Sequence, residues 1–333
     1  MHSVLNPWMI ACRSRELRAD APYATTIEGR HLVLFRDGHG APAALDDRCA
    51  HRNTPLSMGA VKNGGLHCAY HGWSYRADGS VSEVPALPAG AQCNHAVRRY
   101  HAIEQDGFVW VSLHADAPVV KPLAFPHLNE PGWTSFTMKT RFAASVDACL
   151  ENFLDCPHAT FVHRYLFRAP TARRVRAVVR TLSDGAEAEF FDEPRVKSLV
   201  WWLLAPRGGE MRHTDRFIAP RTSRVDYVFP AGSQYIITSS CTELAPRETQ
   251  VYTVISFRHG RIGPLVRLFF EPLSRRIIRQ DVEMLARQGE NIARFGGARY
   301  ADTPADLLGA HIRAWRSGVP PAAGAERAIE IRL

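Results

Sequence analysis

Apolar and polar positions change rhythm about a third of the way along the chain. Up to Asp116 the apolar residues come in short runs broken by turn residues. His31–Arg36 predicts a short strand ending at an Asp37-Gly38 turn, Gly64-Gly65 and Asp78-Gly79 mark further turns, and Phe108–Leu113 (FVWVSL) predicts a buried strand. Ala117–His127 holds Pro118, Pro122 and Pro126, a density that suits a linker. Beyond it, Thr134–Ala144 alternates like a strand, and Ser145–Tyr165 has helical spacing but contains Pro157. Strands are predicted at Val175–Leu182, Glu187–Phe191, Ser198–Leu204, Arg212–Ile218, Ser223–Phe229, Gln234–Ser239 and Gln250–Phe257, followed by a long helix over Leu265–Ala293. Consecutive strands closed by a helix predict an α+β domain on an antiparallel sheet. Two domains are therefore expected, an all-β one over 1–116 and an α+β one over 117–333.

Composition narrows the function classes. Hydrophobic residues make up 46% and charged residues 22%, which excludes intrinsic disorder. No apolar run approaches the ~20 residues that cross a bilayer, so no membrane partner is expected. Met1–Arg18 lacks a basic stretch followed by an apolar run, so no secretory signal is expected. The net charge of +8 lies wholly beyond residue 116, because residues 1–116 carry 11 basic and 11 acidic side chains. The arginines there are scattered, and no run suits a nucleic acid. Seven cysteines, an odd number, with no signal predict a cytoplasmic protein in which clustered Cys and His are ligands.

Two clusters carry chemistry. The first is CAHRNTPLSMGAVKNGGLHCAYHGW over residues 49–73, with Cys49-x-His51 and, after sixteen intervening residues, Cys68-x-x-His71. Two loops that each offer a thiolate and an imidazole suit a binuclear iron–sulfur centre, with both cysteines on one iron and both histidines on the other. The alternative is a structural Cys₂His₂ zinc site, although such sites usually pair like with like. The interleaved order, flanked by HRN and YHGW, resembles the Rieske family. That family's respiratory branch has an extra cysteine in each loop, where this chain has Thr54 and Tyr70, and a serine where it has Trp73. The resemblance therefore implies the lower-potential cluster of oxygenases and their ferredoxins. Trp73 is either a docking aromatic beside His71 or a structural one.

The second cluster is ENFLDCPHATFVH over residues 151–163. On a regular helix Glu151, Asp155 and His158 share a face. His163 lies about 140° further round than His158, so both rings reach one metal only if the helix is interrupted, as Pro157 permits. Non-haem Fe(II) that activates O₂ takes two histidines and one carboxylate. Projection of Ser274–Ile292 as a helix gives one apolar arc of Ile277, Ile278, Met284, Leu285 and Ile292, with Asp281 at its centre and Glu283 pointing away. A carboxylate on such a stripe is bound to a metal or paired with a buried arginine. Cys156 reads as a packing residue. Val200–Leu204 and Val251–Phe257 either line a pocket or form plain core.

Together these runs resemble the Rieske non-haem iron oxygenases, specifically the homotrimeric aromatic hydroxylase and O-demethylase branch. Glu151, Asp155, His158 and His163 fit that family's acid-x3-Asp-x2-His-x4-His run, and Asp281, Leu285 and Gln288 its late helical motif. The resemblance implies a Rieske domain over 1–116 and a helix-grip (START-like) catalytic domain over 117–333. It implies one [2Fe-2S] cluster on Cys49, His51, Cys68 and His71, and one Fe(II) on His158, His163 and Asp281. Asp155 would bridge to the cluster of a neighbouring subunit in a homotrimer. A separate NAD(P)H-dependent reductase or ferredoxin would supply electrons, and O₂ would hydroxylate or demethylate a small, apolar, aromatic or polycyclic substrate. The alternatives are ring cis-dihydroxylation and, in another class, electron transfer without oxygenase chemistry.

Overall fold

The computed structural model describes residues 5–88, 91, 93–168, 174–191, 198–204, 211–229 and 232–332. The chain forms two compact units. One comprises Asn6–Ala124 with Thr242–Ala245, the other Phe125–Cys241 and Pro246–Leu333 with Met1–Leu5.

The first unit is built from β1 (Met9–Arg13), β2 (Tyr23–Ile27), β3 (Arg30–Arg36), β4 (Pro42–Asp46), β5 (Ala60–Lys62), β6 (Gly65–His67), β7 (Ser74–Tyr75), β8 (Val81–Glu83), β9 (Arg99–Gln105) and β10 (Phe108–Ser112). Six of them form a sheet in the order β1-β10-β9-β4-β3-β2, and β5-β6-β7-β8 form a small second sheet. Strand β3 explains the arrangement. Successive side chains alternate faces, so Leu32 and Leu34 join a core with Val109 and Val111. Val33 and Phe35 face the other way, into a core with Leu66, Tyr75, Cys49 and Cys68. Both faces of β3 are thus covered, and the small sheet that carries the cysteine loops is held against one of them.

The second unit holds β11 (Trp133–Phe142), α1 (Val146–Phe153), α2 (His158–Phe161), β12 (Arg174–Leu182), β13 (Gly185–Phe191), α3 (Leu199–Leu204), β14 (Arg212–Ile218), β15 (Thr222–Val228), β16 (Gln234–Ala245), β17 (Glu248–Arg258), α4 (Gly263–Arg294), α5 (Gly309–Arg316) and β18 (Glu326–Arg332). The sheet runs β11-β17-β16-β15-β14-β13-β12-β18. Pairing is antiparallel from β12 through β16, at β12 with β18, and at β11 with β17. The long helix α4 packs on this sheet through Phe270, whose ring meets Tyr235, Phe257 and Phe136 at 5.2, 5.5 and 5.8 Å. Among the described residues no helix is long and apolar enough to cross a membrane.

Two expectations are corrected. Ser198–Leu204 is not a strand, because residues 199–204 form helix α3. Val200, Trp201 and Leu204 are buried while Leu199 and Trp202 are exposed, and spacings of one and four mark one face of a helix. Helix α1 also ends at Phe153, so Asp155 does not share a regular helical face with Glu151 and His158. Pro157 has no N–H to give to the helix, and α2 restarts at His158 and ends at Phe161.

Candidate metal centres

The two cysteine loops of the first unit repeat one design. The Cys49 N–H donates to Thr54 O and the Asn53 N–H to Cys49 O. In the same way the Cys68 N–H donates to Trp73 O and the Gly72 N–H to Cys68 O. The fourth residue after each cysteine has a positive φ, 61° at Asn53 and 72° at Gly72, which asparagine and glycine adopt most readily. The HRN and HGW signatures thus mark a turn that folds back over each cysteine. Cys49 and Cys68 are buried, while His51 is half-buried and His71 exposed. The two rings lie 4.6 Å apart by centroid, and Trp73 stacks on His51 at 4.7 Å and 4°.

The donor set fits a cluster with one sulfur pair and one nitrogen pair. His51 Nδ1 is buried and has no hydrogen-bond partner. Partial burial, then the facing His71, lowers the His51 pKa and favours the neutral ring that ligates. Burial raises the thiol pKa of both cysteines. At Cys68 it prevails, whereas at Cys49 the Tyr75 hydroxyl and the N–H groups of His51 and Arg52 bring the value below its ordinary one. Tyr75 Oη lies 3.1 Å from Cys49 Sγ and accepts from the Ala50 N–H at 3.1 Å, so its proton is available to the sulfur. Sequence reasoning did not single out Tyr75.

In the second unit His158, His163 and Asp281 converge, with ligand-capable atoms within 4.8 Å of one another. Asp281 Oδ1 lies 3.1 Å from His163 Nε2 and 3.6 Å from His158 Nε2. Each imidazole is held by its far nitrogen. His158 Nδ1 donates to the Asp155 carbonyl, and His163 Nδ1 to Gln280 Oε1 at 2.9 Å. Because a carbonyl only accepts, these bonds put the proton on Nδ1 and turn both Nε2 lone pairs inward. Three electron-pair donors therefore face one point, and Asp281 Oδ1, buried, makes no hydrogen bond. A cation there resolves the conflict, so the residues fit a two-histidine, one-carboxylate metal site. Asp281 faces histidines rather than a buried arginine, and Glu283 is exposed.

The other candidates fall around this trio. The Asp155 carboxylate accepts from the His158 backbone N–H at 3.4 Å, and burial raises its pKa. Glu151 pairs with Arg313 at 2.5 Å and stands apart from the trio. Leu285 is buried on α4, Met284 is half-exposed, and Gln288 lines a separate polar cavity. The trio opens onto a cavity of about 120 Å³, lined mostly by apolar groups including Phe153, Phe167, Tyr235, Ile255 and Ile277, together with Asp155 and Cys156. Thr253 and Ile255 of the 251–257 run line it, and among the described residues Val200, Trp201, Trp202 and Leu204 do not. Trp201 packs behind the wall, its ring 5.3 Å from Phe167 and 4.7 Å from Tyr227.

Parts of both units match known families. Residues 7–101 match the Rieske [2Fe-2S] domain. Residues 142–319, more than half of the chain, match the vanillate O-demethylase oxygenase C-terminal domain. The chain belongs to the Rieske oxygenases. Within that family it is 31% identical over 180 residues to the vanillate O-demethylase oxygenase subunit of Pseudomonas sp. (strain HR199 / DSM 7063), covering 51% of this chain and 49% of that one. It is 26% identical over 330 residues to the chloroplastic chlorophyllide a oxygenase of Chlamydomonas reinhardtii, covering 94% of this chain and 48% of that one. The chain thus spans about half the length of these curated relatives. Its fold matches the crystal structure of dicamba monooxygenase bound to dicamba with a TM-score of 0.81 and 22% identity, covering 95% and 97% of the two chains. This Rieske oxygenase has the family's N-terminal β domain and its catalytic domain of antiparallel sheet and long helix.

Proposed function

We propose that this chain is a terminal oxygenase that hydroxylates or oxidatively demethylates a small aromatic substrate, with residues 1–116 as its electron-accepting domain and 117–333 as its catalytic domain. The observation that carries the reading is the convergence of His158 Nε2, His163 Nε2 and Asp281 Oδ1 on the wall of an apolar cavity. When bound, a Rieske cluster supplies electrons singly and an Fe(II) ion supplies dioxygen activation.

The chain's own residues set up that chemistry. Cys49 and Cys68 hold one iron of the cluster and His51 and His71 the other. His158, His163 and Asp281 would hold a mononuclear metal at the cavity wall. Apolar walls such as Phe153, Phe167 and Ile255 keep water from the reacting carbon. The volume of about 120 Å³ is close to that of a cavity of roughly 150 Å³ that takes up benzene, which supports a single-ring substrate over a polycyclic one. The likeness to a vanillate O-demethylase supports demethylation as the first reaction to test.

Electrons come from NAD(P)H through a separate reductase or ferredoxin that docks at exposed His71, beside which the Tyr70 ring lies 3.9 Å away. The working form is a cytoplasmic homotrimer in which the Asp155 carboxylate links His158 to His71 of a neighbouring copy. The test is turnover with NADH, a surrogate reductase and ¹⁸O₂ on a panel of methoxybenzenes and methoxybenzoates. Substrate-dependent oxygen uptake with formaldehyde release, or with one labelled atom in the product, is expected. Two labelled atoms in a ring diol would establish dihydroxylation instead. A colourless, zinc-only protein purified without oxygen would overturn the reading entirely.

A further inference from the structure

One wall of the cavity is a piece of the sheet, and its side chains fall into bands. Successive residues of a strand face opposite sides, so the cavity takes every second residue. Strand β15 gives it Ser223, Val225 and Tyr227, and β16 gives it Ser239, Ile237 and Tyr235. The register sets Ser223 against Ser239, Val225 against Ile237 and Tyr227 against Tyr235. Strand β17 adds Thr253 and Ile255, and Thr253 Oγ1 lies 2.9 Å from Ser239 Oγ. A row of hydroxyls, a row of aliphatic side chains and a row of rings therefore follow one another, in steps of two residues or roughly 6.5 Å.

The hydroxyl row is costly where it stands unless it binds something. Ser223, Ser239 and Thr253 are 2%, 3% and 2% exposed, and a hydroxyl taken from water without a partner is destabilising. Ser239 and Thr253 share one hydrogen bond, which uses one of their two protons and leaves the other over, whichever of them donates. Neither they nor Ser223 makes another side-chain hydrogen bond among the described residues. Ser274 on the same cavity differs, because its proton goes to the Phe270 carbonyl at 2.9 Å. The charged groups Asp155, Asp215 and Arg168 are engaged as well, the first with the His158 N–H and the other two with His213. The row thus offers two neutral O–H donors, with lone pairs beside them and no charge of its own.

We propose that Ser223, Ser239 and Thr253 are specificity-determining residues that bind a phenolic hydroxyl of the aromatic substrate while its ring lies on Val225, Ile237 and Ile255. The inference rests on the oxygenase reading only in taking this cavity as the substrate site. A phenol donates and accepts, as the row does. One step of the sheet separates the aliphatic band from the hydroxyls, a span that one carbon–oxygen bond and one hydrogen bond bridge. An analogue without the oxygen buries the leftover O–H against carbon, and a site built to bond a hydroxyl rejects such an analogue for that reason.

The test is calorimetric binding of 4-methoxyphenol and of 4-methoxytoluene, which has a methyl in place of the hydroxyl, to the iron-loaded protein without reductant. In a merely apolar cavity the methyl compound binds more tightly, because more of its surface is apolar. The hydroxyl row reverses that order, with a preference of roughly tenfold for the phenol. Ser239→Ala combined with Thr253→Val keeps the shape of the row and removes two of its hydroxyls. The pair should abolish the preference while leaving the affinity for 4-methoxytoluene unchanged or higher, which a merely structural loss would not do. Thr253→Ser, which keeps the hydroxyl, should retain the preference. A wild-type protein that binds the methyl compound as tightly as the phenol, or binds neither, overturns the proposal without recourse to any variant. So does a preference that survives the paired change, or one lost in Tyr235→Phe alone, which would place the oxygen among the rings. Phenol preference without oxygen uptake would refute the oxygenase reading and leave this one standing, whereas uptake driven equally by both compounds would do the reverse.

Discussion

The His163 ring is aimed by its bond to Gln280, so Gln280→Leu isolates that bond while keeping nearly the same bulk. The Nδ1–H then loses its acceptor, and only packing keeps the Nε2 lone pair on the point shared with Asp281. Loss of such an outer partner typically costs a metal site 10–100-fold in affinity, or about 1.4–2.8 kcal/mol. Two features choose between the ends of that range. His163 is 3% exposed, so its ring has little room to reorient. Gln280 is half-buried, so water can reach the abandoned N–H and replace part of the bond. The expected loss is therefore nearer tenfold than a hundredfold. Anaerobic competition against a calibrated Fe(II) chelator measures it, and the cluster absorption, which arises in the other unit, serves as an internal control. Gln280→Glu keeps an acceptor at the same place and should recover most of the affinity. Unchanged iron affinity in Gln280→Leu, or a Glu variant no better than the Leu variant, would refute the argument.

Other outcomes follow from the same geometry. Cys68→Ala or His71→Ala should erase the visible cluster spectrum and lower iron from about three to about one per chain, as read by metal analysis. Asp281→Ala should lose the mononuclear iron and turnover but keep the cluster spectrum, whereas Glu283→Ala, altering an exposed side chain, should change neither; the opposite pattern would show that the wrong acid was chosen. Asp155→Asn should retain both metals and the oligomer in sedimentation and metal analysis, yet lose nearly all turnover because single-turnover electron transfer to the iron site collapses. If the variant sheds its mononuclear iron instead, Asp155 is a structural prop. Full activity with a modest drop in melting temperature would reduce it to the acceptor of the His158 N–H, 3.4 Å away.

The parts of the site that were legible in the sequence are those encoded at short range. Cys49, His51, Cys68 and His71 sit in two loops whose turns are set by Asn53 and Gly72 within four residues of each cysteine. Asp281 was legible because a carboxylate on the buried stripe of α4 is conspicuous. Gln280 was not, since it lies one residue off that stripe and its task depends on His163, 117 positions away. The glutamine of the family's late helical motif is Gln288, which lines the other cavity. Residues 200–204 are apolar on every side, so periodicity could not separate a strand from helix α3. Strand β18 was missed for a different reason. Most of its residues are exposed, and what holds it is its pairing with β12.

The interruption around Pro157 has a consequence for anyone who wishes to harden this protein. In an unbroken helix the Asp155 carbonyl would be occupied by the amide four residues on. Here that carbonyl is available to the His158 ring and sets which nitrogen looks inward. A thermostabilisation campaign guided by helix propensity would choose Pro157 early, since proline is about 3 kcal/mol worse than alanine inside a helix. Success by that criterion would splice α1 to α2, take the carbonyl back into the backbone ladder and leave His158 unaimed. The flaw in the helix and the readiness of the ligand are one property, and a sturdier helix here would be a poorer enzyme.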